Sequence, residues 1–121
     1  MEKESALSRI IDSVESYLNS HEVKWFYIGK TDNFEERAES HRQEGYNQIF
    51  ELAIASSDAI AYLEEAVIFY FKEKGDCRIK NENNGSGGNP QSRILYVACL
   101  VEMLNIDEIY RDLLPISDSF P

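Results

Sequence analysis

The chain has little cysteine, little positive charge and no long apolar run, and each shortage excludes something. Its two cysteines, Cys77 and Cys99, have no metal-ligand spacing and no framework of partners, which argues against a disulfide scaffold or a zinc site. They read as free thiols of a cytoplasmic protein. No stretch of about 18 apolar residues occurs, so no membrane-crossing helix is expected. The opening residues, Met1-Glu2-Lys3-Glu4-Ser5, lead into no apolar block and are unlike a secretion signal. Lys and Arg number 12 against 22 Asp and Glu, a formal net charge of -10. That balance excludes a broadly basic nucleic-acid binder, because each phosphate contact draws on a cation. It leaves room for a local basic site, a site that uses a divalent metal, or an acidic face for a protein partner. No internal repeat is visible.

What is present is enough for one domain, residues 1–121. Apolar residues make up 43% of the chain, sufficient for a core, which outweighs the 28% that is charged. Leu7, Ile10, Ile11, Val14, Tyr17 and Leu18 trace one face of a helix over about residues 4–19. Val23 to Ile28 is aromatic and β-branched, a buried strand that Gly29 closes. Asp32 and Glu35 resemble a capping box, opening a helix that ends near Gln43. Residues 48–56 read as a second strand, and Ser56-Ser57-Asp58 caps a long helix that ends at Gly75-Asp76. Asn81 to Pro90 is a loop by composition. Arg93 to Leu100 is a third strand. A last helix, about residues 101–113, would bury Met103, Leu104, Ile109 and Leu113 before Pro115 stops it. The order is α-β-α-β-α-β-α, an α+β domain around a sheet of about three strands.

Three places depart from a plain core. On the second helix, Phe34, Arg37, Ala38 and His41 share one stripe, while Glu35, Glu36 and Glu39 lie elsewhere. Arg37 and His41 are therefore expected to point at the body of the protein; pairing of Arg37 with a glutamate one turn away is the plainer alternative. On the third helix, Glu64 lies inside the stripe of Ile60, Leu63, Val67, Ile68 and Phe71, with Glu65 at its edge. A buried carboxylate needs a cation or hydrogen bonds, so its partner is a metal ion or an arginine, or else it closes an internal salt bridge. Tyr27 precedes Gly29 near Lys30, where positive charge would favour the phenolate, unless it is an ordinary core tyrosine. An acid, an arginine, a lysine, a histidine and a tyrosine together suit phosphodiester chemistry.

The run Phe26-Tyr27-Ile28-Gly29-Lys30-Thr31-Asp32-Asn33-Phe34-Glu35-Glu36-Arg37, followed by His41 and by Ala61-Tyr62-Leu63-Glu64-Glu65-Ala66-Val67-Ile68, resembles the GIY-YIG nuclease superfamily over about residues 23–90. The resemblance implies a small antiparallel sheet of about three strands flanked by helices. It implies that Tyr27 lies near the attacking water, that Arg37 stabilises the phosphate and that Glu64 holds a divalent cation, Mg²⁺ or Mn²⁺. Lys30 and His41 would be accessory phosphate or proton-transfer groups. Gly29 would lie at the substrate, and Asn81 would support the site by hydrogen bonds. The family opens with a GIY strand about ten residues before YIG, and this chain has none. Either Glu15-Ser16-Tyr17 is a degenerate remnant, or strand 93–100, with Tyr96, takes the missing place in a rearranged or circularly permuted sheet. The function implied is a metal-dependent endonuclease acting on nucleic acid, with DNA favoured. The alternative is a nuclease-like fold that only binds protein or nucleic acid. Monomer and dimer are both open.

Overall fold

The computed structural model describes residues 3–83, 85 and 89–102. Six elements follow one another: α1 (Lys3–Ser20), β1 (Val23–Thr31), α2 (Phe34–Gln43), β2 (Gln48–Ile54), α3 (Ser57–Lys74) and β3 (Ile94–Val101). They form an α+β fold with one three-stranded antiparallel sheet and three helices. The helix expected over residues 101–113 does not begin at Val101, which ends β3; from residue 103 on it lies outside the described residues. No helix among the described residues is long and apolar enough to cross a membrane. Cys77 and Cys99 are both free thiols.

The sheet order is β1-β3-β2, so the last of the described strands lies at the centre. β3 pairs antiparallel with β1, placing Tyr27 against Ala98 and Gly29 against Tyr96. On its other side it pairs antiparallel with β2, placing Glu51 against Tyr96. Side chains alternate across a strand, and here the alternation separates two environments. Phe26, Ile28, Leu95, Val97 and Cys99 turn to one face and pack with Ile10, Val14 and Leu18 of α1 and Ile60, Leu63, Val67, Ile68 and Phe71 of α3. Each large apolar side chain fully buried there stabilises the fold by about 1.5–3 kcal/mol. Tyr27, Gly29 and Tyr96 turn to the opposite face, where Phe34 and His41 of α2 meet Tyr96 and Tyr27.

One expectation about β1 and one about α2 need correction. Gly29 does not close the strand, which runs on to Thr31. The cap of α2 is Asn33, whose side chain accepts a hydrogen bond from the Glu36 amide at 3.2 Å, and not Asp32. The longer strand explains the shift: the Thr31 hydroxyl accepts from the Asn33 amide at 3.0 Å, and the helix starts one residue later. Asp32 instead accepts from Asn89. The other helix signals stand where the sequence put them. Ser56 caps α3, and Gly75 ends it in the left-handed region at φ +82°.

Residues 78–81, which carry no strand signal of their own, cover the outer edge of β1. Phe26 donates to the Arg78 carbonyl and Lys80 donates to the Phe26 carbonyl. Asn81 completes the strip with its side chain, accepting from the Ile28 amide at 2.9 Å and donating to the Ile28 carbonyl at 2.7 Å. An exposed strand edge invites wrong pairing, and this edge is occupied over Phe26 and Ile28.

Candidate active site

A cavity of ≈ 420 Å³ opens beside the end of β1. Tyr27 and Lys30 come to it from β1, Arg37 from α2, Glu64 from α3, Tyr96 from β3, and Lys80 and Asn81 from the strip on the edge of β1. Glu64 is buried, with 4% of its surface exposed, as its place in an apolar stripe requires. The chain as a whole has almost two acids per base, yet Lys30, Arg37 and Lys80 outnumber Glu64 and Glu82 on this wall. Arg37 is exposed and makes no ion pair among the described residues, so no Arg37–Glu64 bridge closes the cavity.

Gly29 makes the arrangement possible. Its φ is not positive, so no turn calls for glycine here. What calls for it is space: a Cβ at this position would lie 2.5 Å from Tyr96 Oη and 2.8 Å from a Tyr27 ring carbon. Only a residue without a side chain lets both phenols stand beside the strand.

His41, expected as an accessory phosphate or proton-transfer group, does not reach the cavity itself. It is 5% exposed, does not line the cavity, and sits behind Tyr96. Its Nε2 is 2.7 Å from Tyr96 Oη and its Nδ1 is 3.1 Å from Glu44 Oε1. Burial lowers the His41 pKa, against the opposing pull of Glu44. The neutral ring therefore dominates at neutral pH. A carboxylate can only accept, so Nδ1 carries the proton and Nε2 accepts from the Tyr96 hydroxyl. The chain Tyr96–His41–Glu44 can thus take a proton from the cavity wall toward the exposed carboxylate of Glu44.

The phenolate expected for Tyr27 does not fit its surroundings. Burial raises its pKa, the Glu64 carboxylate raises it further, and Arg37 offsets only part of this. Tyr27 is a neutral phenol at neutral pH. Burial likewise raises the pKa of Tyr96. Asn81 lines the cavity, but both ends of its amide are engaged by Ile28, so it holds β1 in place. Tyr17 lies within α1, stacked on His21 at 3.9 Å, and is no strand tyrosine.

Spacing alone did not single out Lys80 or Glu44. Lys80 precedes a loop-like tract, and Glu44 reads as a helix end. Tyr96 was visible only as the tyrosine of a strand whose neighbours were unknown.

A divalent cation fits this wall in a limited way. Hard cations take oxygen ligands, and Mg²⁺ is commonly held by one or two carboxylates together with substrate phosphates and water. Glu64 supplies one such carboxylate. Among the described residues no three His, Cys, Asp or Glu side chains gather as a protein cage.

No family model, curated protein or solved structure matches this chain.

Proposed function

We propose that the protein is a metal-dependent, cytoplasmic endonuclease of GIY-YIG type that hydrolyses phosphodiester bonds of nucleic acid, with DNA the favoured substrate. The observation that carries this reading is the convergence of Tyr27, Lys30, Arg37, Glu64 and Tyr96, from four separate elements, on one cavity. In this reading β3 stands in for the absent GIY strand, with Tyr96 beside Gly29 supplying the second tyrosine. Arg37 and Lys30 bind the phosphate and balance charge as it grows on the phosphoryl oxygens. The attacking water lies near Tyr27 and Tyr96, and its proton passes through the Tyr96 hydroxyl to His41 Nε2. Asn81 keeps β1 in register and so positions Tyr27. Glu64 would hold Mg²⁺ or Mn²⁺, which supplies Lewis-acid stabilisation of the leaving oxygen when bound.

A second reading, a nuclease-like fold that only binds, draws on the net charge of -10. One assay separates the two: incubation of the full chain with duplex, single-stranded and branched DNA in Mg²⁺ or Mn²⁺. Cleavage is expected, falling about 10²–10³-fold in Arg37→Ala, the range for loss of a preorganised transition-state contact. Glu64→Ala is expected to abolish cation-dependent cleavage, with circular dichroism showing both variants folded. A folded wild type that cuts none of the three substrates sinks the DNA endonuclease reading. Cleavage that survives Glu64→Ala removes the cation from Glu64.

A further inference from the structure

Trp25, the chain's single tryptophan, lies two residues before Tyr27 on β1. Pairing with β3 is regular from Trp25 onward, so Trp25, Tyr27 and Gly29 share a face. The indole is half-buried. Two ammonium groups stand against it: Lys24 Nζ is 5.0 Å from the ring centroid and Lys80 Nζ is 4.8 Å away. Lys80 also lines the cavity, so it joins the indole to the candidate active site. Among the described residues, Lys24, Lys30, Arg37 and Lys80 form no ion pair. In a chain with 22 acids this is a concentration of uncompensated positive charge.

The plain reading is that two lysines shelter an indole by cation–π contact. That contact accounts for one ammonium well and for two poorly. Like charges held on one ring repel, and an anion beside them relieves the repulsion. Aromatic rings flanked by cations are what single-stranded nucleic acid uses: the base stacks on the ring and the lysines take the adjoining phosphates. Stacking on a base outweighs one exposed ammonium–ring contact, and a lysine displaced from the ring is free to take a phosphate.

We infer that Trp25, Lys24 and Lys80 form a stacking subsite for an unpaired base beside the cavity, and that the substrate is a single-stranded segment of DNA such as a flap, a splayed end or a free strand. This rests on the nuclease reading, which puts the neighbouring phosphate at Arg37 and Lys30. Residues two apart on a strand are about 7 Å apart, roughly twice the 3.4 Å rise per nucleotide in a duplex. Successive nucleotides placed at the cavity and at Trp25 are therefore stretched out of their stack. Bases inside a duplex offer only their edges in the grooves and leave no ring face for the indole.

Trp25 emission reads this subsite directly. The full-length protein is titrated in EDTA with an oligothymidylate and, separately, with a blunt duplex of equal length. Saturable quenching by the single strand, absent with the duplex, is expected. Anisotropy of a labelled strand should show affinity reduced about 5- to 150-fold in Trp25→Ala, as for loss of one stacked base. Trp25→Phe, which keeps a ring, should lose less. Lys24→Gln and Lys80→Gln should each lower the slope of log affinity against log salt by about one. Single-strand binding without quenching, or equal quenching by the duplex, overturns the subsite. If wild type cleaves DNA and folded Trp25→Ala binds single strands equally well, the subsite is wrong and the nuclease reading stands. If the strand quenches Trp25 but no cation supports cleavage, the subsite stands and the nuclease reading falls.

Discussion

The two faces of the sheet are made by the same strands and follow opposite rules. Toward α1 and α3, β1 presents Phe26 and Ile28 and β3 presents Leu95, Val97 and Cys99, all 0–4% exposed and packed on aliphatic and aromatic neighbours. Toward α2, the same strands present Tyr27, Gly29 and Tyr96, and the helix answers with His41. The first face has volume to lose and no proton to move. The second holds a phenol–imidazole–carboxylate chain and tolerates no added carbon at Gly29. Lys30 and Glu64 reach the cavity from the side of α3, but the period-two alternation of the two paired strands keeps the phenols and the imidazole apart from the core, and a change at one residue should tax one face more than the other.

The sharpest separation should come from the apolar face. Phe26→Ala is expected to lower unfolding free energy by about 3–5 kcal/mol, the range for truncating a buried aromatic. Urea denaturation checks this, and a loss below about 1 kcal/mol, as for a surface substitution, would show that the face is not the core.

Gly29→Ala tests the opposite face. Tyr96 must move to admit the methyl group, at a cost of about 1–3 kcal/mol by analogy with overpacking. The Tyr96–His41 bond should break, and cleavage should fall further than the stability loss explains. Wild-type cleavage and melting would mean that the two phenols do not depend on the missing side chain.

The smallest effect is a pH dependence. The pKa of His41 is lowered in the fold from an ordinary value of 6.5, so the unfolded chain binds this proton more readily. Above about pH 7 the ring is neutral in both states and contributes no slope. As pH falls through 6.5 toward the lowered value, the unfolded state gains protons first and stability declines. Denaturation between pH 7.5 and 5.5 should show this decline in wild type and a flatter curve in His41→Gln. Identical slopes would rule out His41 as its source.

Much of this division was legible in the chain. Glu64 among apolar residues at helical spacing announced a buried carboxylate, and the stripe of α2 announced that His41 turns inward. Periodicity reports which way a side chain faces, so these inferences were local. What was not legible depended on pairing. Gly29 looked like a strand end because glycine marks turns and close approaches alike, and only the neighbouring Tyr96 decides between them. That His41 lies behind a phenol from β3 had no local signal. Lys80 entered the site through backbone hydrogen bonds to Phe26, which have no side-chain signature. The GIY-YIG resemblance supplied roles for individual residues, while the order β1-β3-β2 could not be read from spacing.

That order also sets a timetable. Among the described strands β1 and β2 do not pair with each other; each pairs with β3, and the register joins Val23 to Val101 and Gln48 to Cys99. A chain made from its N-terminus therefore carries two unmatched strands until the third has been synthesised. Contacts of such long sequence separation slow folding, and unmatched strands meanwhile expose their backbones to other chains. The sheet, and with it both tyrosines of the candidate site, is completed in a late step.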